Sequence, residues 1–310
     1  MELNIRLATL DDAKDITEVH CSDVEKWVRV KNNEKVEARY EELTIAERYA
    51  HGGPWMSIET CAIHLNYLLL AKQYPIVAEI DGKVVGELEV YVGEEKGLLG
   101  KTAFIDVMVI HKDYRRRGIG REMIAFVREL AIKHECNTLS VWPEKDAVPF
   151  YEKCGLDKIA YEIIHATINL EEIPYRSTKF EPQDFPKSYD TLKGKHFISP
   201  RIYSGFAIWL KNGWKFATIN DNGVYDAGYV PKFDAAYVIE SLWHKKKEAR
   251  LLLWLGNIET FPRVLEELCI RARKLGISEL HVLIEKGLYD TIKNLPHRKI
   301  GQEVVLFKTL

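Results

Sequence analysis

The N-terminal run "NIRLAT" (4–9) alternates polar and apolar residues, the period of a half-buried strand. "LDDAKDITEVHCSDVEKWV" then carries apolar residues at helical spacing. A polar stretch and the small loop "YAHGGPW" (49–55) follow, and "SIETCAIHLNYLLLAK" predicts a second helix with Ser57 as its N-cap. "YPIVAEIDGKVVGELEVYVGEE" reads as two strands joined at an Asp81-Gly82 hairpin turn. "TAFIDVMVI" (102–110) is almost unbrokenly apolar, which predicts a central strand covered on both faces. After a short basic loop, "REMIAFVRELAIKH" places Met123, Phe126, Val127, Leu130 and Ala131 on one helical stripe. A strand "TLSVW", a short helix "DAVPFYEKCG" and a long strand "KIAYEIIHATINL" complete a β-α-α-β-β-β-α-β-α-β order that ends near Leu170.

Residues 171–188 hold three prolines and mixed charge, and read as a linker or crossover. Beyond them the pattern predicts strands over "GFAIWLKNGWKFATIND" and "ARLLLWLG", then a helix from Phe261 to Lys274. A strand "ELHVLIE", a helix near 288–295 and a last strand "EVVLFKTL" follow. This tail repeats the strand–helix–strand–helix–strand order of residues 102–170, so an internal duplication is the natural hypothesis. The fold class is mixed α/β (α+β), divided into residues 1–170 and 171–310.

A chain of 310 residues suits two ordinary domains, and a 46% hydrophobic content supplies a core. The net charge of −2 gives no chain-wide positive field for nucleic acid or anionic membrane. No apolar run approaches membrane-spanning length, and the charged N-terminus lacks the apolar region of a signal peptide. Five scattered cysteines without a C-x-x-C read as reduced thiols, so the expected location is cytoplasmic. Gln is scarce while Glu and Lys abound, a bias that a thermophile source would produce.

The basic loop is the chemically informative stretch: "DYRRRGIGREM" (113–123). A helix N-terminus offers unpaired N–H groups and the positive end of the macrodipole. Gly118 and Gly120 permit close approach of a phosphate, and Arg115, Arg116 and Arg117 add positive charge. The dinucleotide fingerprint fails because Met123 stands where its third glycine belongs, and no Gly-Lys-Ser/Thr of a Walker loop follows. Taken alone, the stretch is equally a solvated basic turn.

A second motif lies one strand downstream: Ala147-x-x-Phe150-Tyr151-x-x-x-Gly155-Leu156. Together with Arg115-x-x-Gly118-x-Gly120 it resembles the GNAT superfamily of acyl-CoA-dependent N-acyltransferases, over about residues 3–170. The resemblance implies a twisted mixed sheet flanked by helices, with a tandem of two such units as the expected architecture.

It implies acetyl-CoA as co-substrate, with the loop 115–121 (Arg115, Arg116, Arg117, Gly118, Ile119, Gly120 and Arg121) holding the pyrophosphate. Met108, Val109 and Ile110 would pair their backbone with the pantetheine arm. Tyr151 matches the family tyrosine that protonates the departing CoA thiolate, although a core aromatic is its plain reading. An Asn often found three residues before the Ala of the second motif is Glu144 here, and that contact is in doubt. An amine acceptor must lose a proton, for which Asp106 is the first choice and Glu87 the second, with Glu89 on the same strand face as Glu87. For each of these acids, a solvent-facing strand position is the bland alternative.

The loop 49–55, with His51, Gly52, Gly53, Pro54 and Trp55, suits either a cover over the acceptor or a loop packed by its own Trp. His64 reads as a satisfied core histidine. In the second half "GNIETFP" (256–262) replaces the basic loop, lacks arginine and carries Glu259, so residues 171–310 read as a GNAT-like domain without a phosphate loop. Walling the acceptor site or forming a homodimer are its alternative roles. His134-Glu135-Cys136 has no partner pair at zinc spacing, so no metal is expected, and no G-x-S-x-G elbow exists. The expectation is acetyl transfer from acetyl-CoA to a small-molecule or protein primary amine, by direct attack and without nucleic acid or membrane partners. An acyl-CoA-binding regulatory module without turnover is the alternative.

Overall fold

The computed structural model describes residues 2–31, 34–177, 180–198, 204–214, 223–242 and 245–310, apart from the side chain of Lys246. The chain packs as two compact units. One takes in Met1–Val92, Ala103–Glu135 and Lys211–Asp221, the other Gly93–Thr102, Cys136–Leu210 and Asn222–Leu310.

The first unit contains β1 (Leu3–Leu7), α1 (Ala13–Cys21), β2 (Val28–Lys31), β3 (Glu34–Glu37), α2 (Ile45–Tyr49) and α3 (Ile58–Leu70). It continues with β4 (Tyr74–Ile80), most of β5 (Lys83–Glu94) and of β6 (Lys101–Ile110), and α4 (Ile119–Lys133). Its sheet runs β1-β4-β5-β6, with β4 antiparallel to both β1 and β5. The β4–β5 turn is the expected one: Asp81 and Gly82 both take left-handed backbone, at φ 49° and 80°.

Strand β5 is buried from Val84 to Tyr91 because both its faces are covered. On one face Gly86 makes room for a close layer, where an added Cβ would lie 2.7 Å from Ile110 Cδ1 and 3.2 Å from Met123 Sδ of α4. The other face meets α1 and α3, whose Ile16, Val19, Cys61 and Leu65 join Val77 and Val84 in one apolar cluster. The polar stretch that pattern reading leaves blank folds as an antiparallel hairpin of its own, β2 with β3. Too few apolar residues stand in it to mark a period.

The second unit holds β7 (Thr138–Val141), α5 (Val148–Lys153), β8 (Lys158–Asn169), β9 (His196–Ile198) and α6 (Gly205–Asn212), whose Lys211 and Asn212 fall in the first unit. After these come β10 (Val224–Val230), β11 (Ala235–Leu242), β12 (Lys245–Leu255), α7 (Phe261–Lys274), β13 (Glu279–Glu285) and β14 (His297–Thr309). The strand order is β7-β14-β8-β13-β12-β11-β10, with β9 paired to β12. Among the described residues no helix is long and apolar enough to cross a membrane.

Two expectations change here, and one element is new. Residues 205–212 form a helix, not a strand, and 215–221 of that expected strand lie outside the described residues. The helix is started by Ser204 Oγ, which accepts the Ala207 amide at 3.1 Å. The Glu95 carboxylate, 110 positions upstream, accepts the Gly205 amide at 3.1 Å and the Phe206 amide at the same distance. No local pattern could reveal so remote a cap. The helix expected near 288–295 is a 3-10 stretch, Lys286–Ile292, and the antiparallel β10–β11 hairpin was not foreseen.

The tandem architecture itself is present. The order β12-α7-β13-(3-10)-β14 repeats β6-α4-β7-α5-β8, and the two repeats exchange their last strands. The first repeat's β8 pairs antiparallel with β13, while the second repeat's β14 pairs with β7 and β8. This exchange is why packing does not divide the chain at residue 170.

Candidate active site

The loop between β6 and α4 opens the site. Gly118 caps α4 with φ 85°, and Arg116 is also left-handed at φ 64°. Nothing stands within 4 Å of the position a Gly118 Cβ would take. The arginines divide their work. Arg115 Nε donates to the Ile110 carbonyl at 2.9 Å and its guanidinium pairs with Asp23. Arg117 donates to the Asp113 carbonyl at 2.7 Å and lies 5.1 Å over the Tyr114 ring. Arg116 is exposed. Buried Ile119 anchors the start of α4, and Gly120 sits half-buried in its first turn, where the Arg121 amide donates to Gly118 O at 2.9 Å. Met108, Val109 and Ile110 are half-buried at the end of β6. A cleft of about 480 Å³ beside the loop has Lys83, His111 and Arg117 among its lining side chains.

A cluster of buried polar groups fills the face of β5 and β6 under α1 and α3. Glu87 and Glu89 are each 1% exposed and alternate onto the same side of β5. His20 Nε2 of α1 lies 3.0 Å from Glu87 Oε2. Glu89 Oε1 accepts from His64 Nε2 at 2.8 Å and from Trp55 Nε1 at 2.8 Å, and its Oε2 accepts from Tyr91 OH at 3.3 Å. Trp55 stacks on His20 at 5.1 Å between ring centroids and meets His64 edge-on at 5.2 Å. The 49–55 loop is therefore packed inward by its own tryptophan.

The two glutamates differ because their partners do. Burial, together with the neighbouring Glu89 and Asp106 carboxylates, pushes the Glu87 carboxyl well above the ordinary carboxylate range. His64, Lys211 and the Trp55 N–H outweigh the same burial at Glu89 and hold it down at about 2. Burial also lowers His20 to about 4. Both shifts disfavour charge on the pair, so the Glu87–His20 contact is a hydrogen bond rather than a salt bridge.

Asp106, the first choice for the base, does not stand alone. Its side chain, 3% exposed, is ion-paired with the ammonium of Lys211, itself 8% exposed. Lys211 Nζ is also 4.0 Å from Glu89 Oε2 and 5.0 Å over the Tyr91 ring. Trp214, next along, stacks on Tyr67 of α3 at 5.4 Å. Sequence reading missed Lys211 altogether, since no local signal distinguishes it. His20 escaped notice too, although two acids alternating within an apolar strand already called for buried partners.

Asp106, Glu87 and the 115–121 loop thus belong to one unit. Tyr151 belongs to the other. It is 6% exposed on α5, with Phe150 edge-on at 5.1 Å. Burial raises its hydroxyl above the ordinary phenol value, so it stays protonated at neutral pH. Glu144 is exposed at the head of the same region. His134 Nδ1 lies 3.2 Å from Tyr74 OH. The ligand atoms of Glu248, Glu279 and His281 in the second unit come within 4.8 Å of one another. Lys245 and Arg298 already neutralise those two carboxylates, at 2.7 and 3.6 Å.

Comparison with known proteins bears on this arrangement. A model of the acetyltransferase (GNAT) family matches residues 33–156. Glucosamine 6-phosphate N-acetyltransferase of Schizosaccharomyces pombe is 30% identical over 82 residues, which are 26% of this chain and 73% of that protein. In fold, the chain is similar to a putative acetyltransferase from Pyrococcus horikoshii, with TM-score 0.59, 17% identity and coverage of 99% of this chain and 89% of that one. It is also similar to a tandem GNAT protein from the clavulanic acid biosynthesis pathway, with TM-score 0.51, 15% identity and coverage of 99% and 98%.

Proposed function

The chain belongs to the acetyltransferase (GNAT) family, and on that premise we propose that it transfers the acetyl group of acetyl-CoA to a primary amine by direct attack. One observation carries the reading: the open, basic strand-to-helix loop and the buried Glu87–His20 pair occur in the same compact unit. The relative from Schizosaccharomyces pombe is named for acetylation of an amine, which agrees with such an acceptor.

The residues present fit acetyl-CoA. The loop 115–121 offers a free helix N-terminus, an exposed Arg116 and open space at Gly118 for a pyrophosphate. Met108, Val109 and Ile110 would take the pantetheine arm. When bound, acetyl-CoA supplies a thioester carbonyl activated toward nucleophiles.

Glu87, with His20 behind it, accepts the proton that the amine must shed. Burial and the neighbouring carboxylates raise the affinity of Glu87 for a proton, which makes its ionised form a stronger base than an ordinary carboxylate. The amine nitrogen forms a bond to the carbonyl carbon, the carbon–sulfur bond breaks, and the leaving thiolate takes up a proton, the role that the family resemblance assigns to Tyr151. Asp106, held by Lys211, is the weaker choice of base. In this reading residues 1–170 are the catalytic domain, and 171–310 are a second GNAT-like domain lacking the phosphate loop.

The test measures CoA release with a panel of primary amines for the wild type, Glu87→Gln and Tyr151→Phe. At least one amine should raise turnover. Glu87→Gln should then lose about 10²–10⁴-fold in kcat while still binding acetyl-CoA, and Tyr151→Phe should lose less. If acetyl-CoA binds but no amine raises turnover, the regulatory-module alternative takes its place.

A further inference from the structure

The buried cluster contains a cation supplied from 105 positions downstream of its partner Asp106. Each of the three carboxylates has a different companion. Glu89 is held by His64, Trp55 and Tyr91. Asp106 is held by the Lys211 ammonium, and Glu87 has only an imidazole. We propose that Lys211, brought from the second half of the sequence, is the positioning residue for proton transfer: by engaging Asp106 and standing beside Glu89, it leaves the Glu87–His20 pair as the proton acceptor. This rests on the acetyltransferase reading given above.

The argument is one of charge in a place water does not reach. Facing Glu87 are His20 from α1, Cys61 from α3, Glu89 from its own strand, Asp106 from β6 and Lys211 from α6, while His64 of α3 engages Glu89. Three carboxylates buried so near one another cannot all ionise without a compensating cation. Lys211 is placed to supply it, with Nζ on Asp106 and 4.0 Å from Glu89. Its positive charge favours the ionised form of Glu87 and so keeps that carboxyl within reach of ionisation. The Lys211 ammonium already occupies the Asp106 carboxylate. Removing the lysine would leave the carboxylates of Asp106, Glu89 and Glu87 without that cation.

A base acts when deprotonated, so kcat/KM should rise with pH through the titration of the Glu87–His20 pair. Lys211→Met removes the cation, raises the proton affinity of that pair and moves this acid limb to higher pH. The expected shift is about one unit, roughly a tenfold loss of kcat/KM on the acid side that is recovered at alkaline pH. Asp106→Asn removes a negative neighbour instead, and should move the limb to lower pH. A lysine that only stabilises the fold predicts weaker stability and no displacement in either variant. Coincident profiles, or turnover abolished at every pH in Asp106→Asn, would overturn the proposal.

A second measurement needs no turnover: ¹³C-carboxyl NMR titration of Glu87, assigned with Glu87→Gln, in the wild type, Asp106→Asn and Lys211→Met. Opposite displacements of the Glu87 midpoint in the two variants support the proposal, and equal midpoints overturn it. If the wild type releases no CoA with any amine, the acetyltransferase reading fails and this titration alone decides the role of Lys211. If Lys211→Met does not fold, Asp106→Asn carries both measurements.

Discussion

The two repeats place a strand-to-helix turn in the same topological position, and the turns are built to opposite ends. After β6, Gly118 faces open space and Arg116 is exposed. After β12, a Cβ on Gly256 would meet Asp234 Oδ2 at 1.9 Å, and that aspartate is held by Lys195 at 2.5 Å and by Tyr229 OH at 2.6 Å. Asn257 Oδ1 accepts the Glu259 amide at 2.9 Å, so the turn satisfies its own backbone. The interiors differ in the same sense. β5 and β6 carry three buried carboxylates whose partners include two imidazoles and an ammonium. Elsewhere, in the second unit, buried Glu240 lies directly across the ladder from Arg250 at 2.5 Å, and an arginine keeps its charge. A shared topology therefore supplies two candidate anion sites, and local side chains leave one open and fill the other.

The comparison breaks most readily at its glycines. Gly118→Val should weaken acetyl-CoA binding by tenfold or more while costing about 1–2 kcal/mol of fold stability through its left-handed backbone. Gly256→Ala should do the reverse, displacing Asp234 and lowering the melting temperature while the folded protein binds acetyl-CoA as before. Calorimetric titration beside thermal melts reads both, and unimpaired binding by Gly118→Val would end the view of the loop as the phosphate site.

The interior can be probed by acid. An unfolded imidazole takes its proton near pH 6.5, whereas His20 resists until about 4. The unfolded state thus binds more protons in that window, so stability present above 6.5 declines as pH falls and is lost through about 4. Melting temperatures across the window should fall less steeply for His20→Gln.

The smallest effect is expected within the loop itself. Replacing Gly120 by a bulky residue should cost acetyl-CoA affinity more than Arg116→Ala, which removes charge alone. Equal affinities in those two variants would mean that charge, not backbone access, governs the loop.

The glycine loop was legible because its parts are local: an apolar strand, a G-x-G and an amphipathic helix lie within some thirty residues, as expected of a single supersecondary unit. The β4–β5 hairpin was legible for the same reason, its turn chemistry standing in two adjacent residues. Helix α6 was not, because its cap is Glu95, 110 positions away. The choice between Asp106 and Glu87 was equally beyond reach, since neither side chain differs much from the other until its partners are known.

By itself, the amino-acid sequence determined the element order of the first repeat, the glycine loop at the head of α4 and the absence of arginine from its counterpart. These follow from periodicity and from backbone chemistry, which act over a few residues. The tertiary structure alone decided which partner each buried carboxylate meets. That depends on low-dielectric contacts with His20, His64 and Lys211, groups drawn from three helices that no local pattern joins.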